Sequence, residues 1–287
     1  MSLCFFVSDL HGDISRYEKL FRKIETEKPD AVFFGGDLLP SGLYAFSSSE
    51  DVPKDFFQEI IKNGFVRIKK KLKNNYPKVF IILGNDDSKA DENLFTKGEE
   101  ERLWKYVHNK KVSFGEYTVY GYSFIPPSPF LMKDWEKYDV SRYIDPGCVP
   151  PEEGSHSFAI KKDDILYSTI KKDLEELAGE DNLSNAIFLF HTPPYKTNLD
   201  RAALDGKMVD YAPLDVHIGS IAVQSFIYAN QPLITLHGHV HESSRITGFW
   251  SDKIKNTYLF SAAYEKEKLA LVKFNPAEPE KAIRELI

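Results

Sequence analysis

The chain has 287 residues, 42% of them apolar and 28% charged, with a net charge of −6. That balance suits a soluble globular protein with a substantial core, and its acidity offers no general attraction to nucleic-acid phosphates, leaving only a locally positive cleft as a route to them. Two cysteines, Cys4 and Cys148, make no disulfide framework, and no apolar stretch is long enough to span a bilayer; a reducing cytoplasm and no membrane are expected.

The first element is an apolar run, Leu3 to Val7, which begins without a basic region, a long apolar core or a cleavage site, so no signal peptide is expected. Ile14, Tyr17, Leu20, Phe21 and Ile24 then recur at helical spacing, with Asp13 placed to cap them. A second apolar run covers Ala31 to Phe34. Phe57, Ile61, Phe65, Ile68 and Leu72 mark another helix, and the basic run Arg67 to Lys73 reads as its solvated face rather than as a nucleic-acid patch. Further apolar runs lie at Val79 to Leu83, Ala186 to Phe190 and Leu233 to Leu236. Leu166, Ile170, Leu174 and Leu177 predict a helix, as do Ile218, Ile221, Ala222 and Ser225, the latter stopped by Asn230 and Pro232.

Runs apolar on successive residues suit strands buried on both faces of a sheet. Strands alternating with helices imply a layered α/β protein, in which ligands gather beyond the carboxyl ends of the strands. The stretch from about 122 to 164 is rich in proline and aromatics and lacks periodicity. Phe130, Trp135, Tyr138 and Tyr143 make it too apolar for disorder, so it reads as an ordered excursion.

Short polar segments stand at the ends of the apolar runs: Asp9-Leu10-His11-Gly12-Asp13, Gly36-Asp37, Gly84-Asn85-Asp86-Asp87, His191, and His237-Gly238-His239-Val240-His241. Each alone has a plainer reading. An aspartate beside glycine is commonly a turn or cap, and His239 and His241 could be a half-exposed strand face. Together, hard carboxylates and imidazoles gathered without thiolate suit manganese, iron, zinc, nickel or cobalt.

In this order the segments resemble the calcineurin-like metallophosphoesterase family, whose pattern is D-x-H, G-D, G-N-H-[DE], a lone His and G-H-x-H. The resemblance runs from Asp9 to His241. It implies a four-layer α/β sandwich, two facing mixed β-sheets flanked by helices, with residues 1–287 as one domain. It also implies two divalent metal ions. Asp9, His11, Asp37 and His241 would hold the first; Asp37, as bridge, with Asn85, His191 and His239 would hold the second. A carboxylate can touch two ions, whereas neutral Asn85 offers one carbonyl oxygen. The implied activity is phosphoester hydrolysis by a metal-bridging hydroxide.

Around the ligands, Asp13 is expected to cap the first helix and to support His11, Asp87 to be structural, and His237 to stand behind the ligands on the same strand face as His239 and His241. Lys196 and Arg201 could supply positive charge to a small phosphoester substrate. Backbone amides around Gly219 and Ser220 could face an anion. His108, His156 and His217 stand outside any motif.

One position departs from the family pattern. Where many members carry a histidine that helps protonate the leaving oxygen, this chain has Asp86, whose carboxyl two nearby dications would keep ionised. A phosphodiesterase preferring leaving groups that need no proton is the expected activity. Two alternatives are a non-catalytic metal-binding scaffold, tested by turnover of a chromogenic diester with a His191→Ala control, and a nuclease, tested by salt-dependent binding to single-stranded DNA.

Overall fold

In the computed structural model, which describes residues 2–40 and 53–287, every expected apolar run is a strand with both faces covered. In chain order the elements open with strand β1 (Cys4–Val7), helix α1 (Ile14–Glu27), β2 (Ala31–Gly35), α2 (Asn63–Leu72), β3 (Lys78–Ile82), α3 (Glu92–Glu100), β4 (Lys105–Tyr106), β5 (Lys110–Phe114) and β6 (Tyr117–Tyr122). The second half adds α4 (Lys162–Tyr167), α5 (Ile170–Ala178), β7 (Ala186–Phe190), the two-residue strands β8 (Met208–Val209) and β9 (Ala212–Pro213), α6 (Ile221–Asn230), β10 (Ile234–His237) and α7 (Ser243–Thr247). Strands β11 (Ser251–Ile254), β12 (Thr257–Ser261), β13 (Ala270–Phe274) and β14 (Ile283–Leu286) close the chain.

Two six-stranded sheets result, ordered β14-β13-β1-β2-β3-β4 and β11-β12-β10-β7-β6-β5. Both are mixed. In the first, β1, β2, β3 and β4 run parallel while β13 and β14 pair antiparallel; in the second, β12, β10, β7 and β6 run parallel while β11 and β5 flank them antiparallel. The last strands thus return to the sheet that the first begins.

Side-chain alternation explains the four layers. Cys4, Phe6, Phe33 and Phe80 point to the inner core, where they meet Val119, Ile187, Leu189 and Leu236 of the other sheet. Phe5, Val7, Val32, Phe34 and Ile81 point outward onto Tyr17, Leu20, Phe21 and Ile24 of α1 and Phe65 and Ile68 of α2. On the opposite flank Tyr120, Phe188 and Phe190 pack on Ile170 and Leu174 of α5 and Val223 and Ile227 of α6. At roughly 1.5–3 kcal/mol for each large apolar side chain withdrawn from water, these three clusters dominate the folding free energy.

The helices follow their sequence signals with three differences. The amphipathic stretch from Phe57 is wound more widely over Phe57–Lys62 before becoming α2; its lysines face solvent, Lys71 pairing with Glu25 at 2.6 Å. The single helix expected over Leu166–Leu177 is two, because Thr169 caps a fresh start by accepting the Lys172 amide. Ile218 precedes α6 rather than joining it, since Ser220 is the cap and accepts the Val223 amide at 3.0 Å.

Between β6 and α4 the proline-rich excursion is held by its own buried polar groups. Lys133, fully buried, donates to Glu136 Oε2 (2.5 Å) and to the Ser128 carbonyl (2.8 Å) beside the buried Trp135. Asp139 anchors it to the rest of the protein, accepting from the Ser220 hydroxyl (2.5 Å) and from the Ile221 amide (2.7 Å). The anion that faces the start of α6 is therefore the chain's own carboxylate.

Candidate metal centre

Five parallel strands, β1, β2 and β3 of one sheet and β7 and β10 of the other, deliver the polar segments to one edge of the sandwich. Backbone bonds tie the loops together: the Asp9 amide to the Gly36 carbonyl (2.9 Å), His11 to Asp37 (2.8 Å), and Gly238 to His191 (2.9 Å). The segments are consequently adjacent although they span more than 230 positions. One ligand-type atom from each of Asp9, His11, Asp37 and His241 lies within 4.8 Å of the others, and the same holds for Asp37, His191 and His239. Asp37 belongs to both groups. Asn85 Oδ1 lies 2.9 Å from His191 Nε2 at the second.

The turns that achieve this are strained. Asp9 (φ 56°), His11 (46°), Asp37 (54°) and His239 (73°) all occupy the left-handed region, at a cost of roughly 1–2 kcal/mol each for residues with a Cβ. At Gly36 (φ 94°) the approach is closer than any side chain permits: a Cβ would stand 2.7 Å from the Gly84 nitrogen and 2.8 Å from His191 Nδ1.

Hydrogen bonding tests whether cations fit. His191 Nδ1 lies 2.7 Å from the Gly35 carbonyl and must donate to it, which in a neutral ring leaves the Nε2 lone pair facing oxygens of Asn85 (2.9 Å) and Asp37 (3.2 Å). Three acceptors around one point require a positive charge there, either a second proton or a metal ion. His11 Nε2 and His241 Nε2 lie 3.2 Å apart, and Asp9 Oδ2 is buried with no partner among the described residues. The donor set is mixed nitrogen and oxygen, which fits divalent transition metals.

The same crowding governs the acid–base states. Burial acts to raise the Asp9 and Asp37 carboxyls, but the imidazoles outweigh it: His241 holds Asp9 below the usual carboxylate range and His191 holds Asp37 at about 2. Burial acts to lower the His191 imidazolium, and Asp37 overrides it, pushing the group up to about 10. Burial and then the nearby His191 push His239 down to about 3, so its neutral ring is free to ligate.

Behind the donors, Asp87 is wholly buried and accepts three amides, Leu38 (2.9 Å), Leu39 (2.8 Å) and Gly84 (2.9 Å), clamping the loop of Asp37 to that of Asn85. Asp86 accepts from Asn85 Nδ2 at 3.1 Å, turning Asn85 Oδ1 inward, and its other oxygen lies 3.4 Å from His11 Nδ1. Asp13 caps α1 through the Arg16 amide and touches Arg16 rather than His11.

Two further expectations are corrected. His237 does not share a face with His239 and His241, because β10 ends at His237 and His239 turns into the left-handed region. It is buried, bonded to the Thr192 carbonyl (2.9 Å) and the Thr235 hydroxyl (2.8 Å), and so braces the residue after His191. Lys196 and Arg201 do not line the cavity that opens from the donor cluster. Arg201 is spent on Asp205 and the Ala202 carbonyl, and the Lys196 ammonium lies 5.1 Å from the Tyr195 ring centre.

Sequence reasoning left open what the proline-rich excursion does; it forms one wall of that cavity. The signal was Phe130 and Tyr143, apolar groups that a solvated loop would not carry, but nothing local said which surface they would face.

Comparison with known proteins agrees with this architecture. No protein of curated function matches the chain. Among solved structures it is similar to TT1561 of Thermus thermophilus (TM-score 0.53, 15% identity, 99% of this chain and 98% of that one) and to a phosphopantetheinyl hydrolase from Mycobacterium tuberculosis (0.50, 12%, 92% and 90%). A dimetal phosphatase from Danio rerio aligns at a TM-score of 0.49 with 10% identity, over 99% and 98%. The family model for calcineurin-like phosphoesterases matches residues 4–243, and the chain, with its two mixed sheets between helices, belongs to that family.

Proposed function

We propose that this protein is a metal-dependent phosphodiesterase. Asp9, His11, Asp37 and His241 would hold one divalent ion and Asp37, Asn85, His191 and His239 the other, manganese, iron, zinc, nickel and cobalt all suiting the donors. The observation that carries the reading is the pair of donor groups sharing Asp37, with a lone pair of His191 aimed at oxygens. When bound, such ions supply a nucleophile from water near neutral pH and offset phosphoryl charge.

The chain's own residues set the geometry and the leaving-group preference. Asp86 donates its amide to Asp37 Oδ1 (2.8 Å) and fixes the Asn85 amide with its side chain. Burial, with Asp37 second, pushes its carboxyl up to about 6, but dications would reverse that trend and keep it ionised. Asp86 is thus a positioning residue and a poor proton donor. Leaving groups that depart as stable anions are favoured, so among diesters those with an aryl arm should react fastest.

Comparing metal-loaded protein on aryl and alkyl phosphodiesters tests this: aryl esters should be far faster, and equal rates discredit the leaving-group argument. Asp86→His should selectively improve alkyl esters. We further propose that the chain acts as one unit and works in a reducing cytoplasm, as its two free thiols support. Its partner would be a small phosphoester rather than nucleic acid, and no helix among the described residues is long and apolar enough to cross a membrane.

A further inference from the structure

A cavity of about 470 Å³ opens directly from His11, Asp37, Asn85, Asp86, His239 and His241, a size within the range of small-molecule sites. Away from those polar groups most of its lining is apolar, including Pro127, Phe130 and Ile144 from the excursion and Leu204, Leu214 and Ile218 from beyond it. Beyond the donor cluster its acidic groups are Asp139, Asp145, Asp215 and Glu242, its one basic side chain is the His217 imidazole, whose Nδ1 lies 2.8 Å from Asp200 Oδ1, and among the described residues no lysine or arginine lines it. Residues 41–52 contain none in sequence either.

This charge pattern discriminates among phosphoesters. One phosphate is served at the donor cluster. A second phosphate or a carboxylate farther along would leave water, meet no lysine or arginine, find the His217 imidazole already committed to Asp200 (2.8 Å), and approach Asp215, whose carboxylate is fixed by the Tyr195 hydroxyl (2.6 Å) and the His217 amide (2.9 Å). An apolar arm, by contrast, gains contact along most of the wall. Asp139, bonded to Ser220 and Ile221, keeps the excursion in place and so makes the wall a fixed feature.

Resting on the phosphodiesterase reading, we propose that the substrate carries a single phosphate and an apolar organic arm with no second negative charge, and that the 126–148 segment selects this arm. Nucleotides bearing further phosphates and oligonucleotides fall outside the class.

The test uses p-nitrophenyl phosphodiesters whose second arm is methyl, hexyl or 5-carboxypentyl, on the metal-loaded protein, with titration calorimetry of hexylphosphonate and 5-carboxypentylphosphonate as a readout independent of turnover. Each methylene that reaches the wall is worth about fourfold, so kcat/KM should rise at least about 10-fold from methyl to hexyl and fall back for carboxypentyl. Hexylphosphonate should bind more tightly by a similar factor. Ile144→Lys should raise carboxypentyl turnover about 10-fold over wild type; should that variant not fold, the calorimetric ratio on wild type decides alone. Equal rates for the three arms overturn the proposal, as does faster cleavage of single-stranded DNA than of the methyl diester. A trimethylammonioethyl arm that outruns hexyl overturns the apolar assignment. No turnover of any diester, with hexylphosphonate still preferred, would instead count against the catalytic reading and leave the arm assignment standing.

Discussion

Asp87→Asn isolates the clamp between the two central loops. The carboxylate receives three amides at 2.8–2.9 Å in a fully buried position. Asparagine is nearly isosteric, and its oxygen can still accept from Leu38 and Leu39, but its NH2 then faces the Gly84 N–H. One buried donor is left unpaired, costing roughly 1–3 kcal/mol, and two bonds weaken from charged to neutral, about 0.5–1 kcal/mol each. A total of about 2–5 kcal/mol should lower Tm of the chelator-treated protein by roughly 4–20 °C for a chain of this size, and displaced donors should weaken metal affinity about 10–100-fold. Differential scanning calorimetry and metal titration measure both. Burial and Asp37 push the Asp87 carboxyl up to about 7 against the pull of the three amides, so the comparison is made above about pH 8, where the wild-type group is ionised. An unchanged Tm and metal affinity would refute the clamp.

Lys196→Ala and Arg201→Ala should each change KM for a small diester by less than about twofold, since neither side chain lines the cavity; a rise of 10-fold or more in KM would return them to the substrate site. His108 is held neutral in the fold, mainly by burial and then by Lys89 and Lys137, while its Nδ1 accepts the Ser123 amide at 3.1 Å. Because only the unfolded chain takes up its proton, the contribution is complete above about pH 6.5 and is lost as pH falls below it, by up to about 1.4 kcal/mol per pH unit. In urea titrations between pH 5 and 7, His108→Asn should flatten the pH dependence by that amount; identical slopes in both proteins would contradict it.

Much of the sandwich was legible because its strands are buried on both faces: Cys4 and Phe6 serve one core, Phe5 and Val7 another, and an uninterrupted apolar run follows. Donor residue types at strand ends were legible for the same reason. Less visible was backbone direction. The left-handed turn at His239 breaks the alternation that would have grouped it with His237, and no propensity announces φ 73° at a histidine. Loop cations were also misleading: Lys196 and Arg201 lie near His191 in sequence, yet Arg201 is committed to Asp205 and the Ala202 carbonyl. The role of the excursion depended on long-range contacts, Asp139 on α6, Lys137 on Asp173 and Asp134 on the Lys89 amide, which local pattern cannot supply.

Metal stoichiometry tests the central proposal most directly. Protein stripped with chelator and reloaded with manganese or zinc should bind two ions per chain by elemental analysis. His191→Ala should retain one, at the group formed by Asp9, His11, Asp37 and His241, because loss of an imidazole there leaves the first group whole. Wild-type protein that binds no divalent ion, or a His191→Ala variant that still binds two with undiminished affinity, would contradict the account.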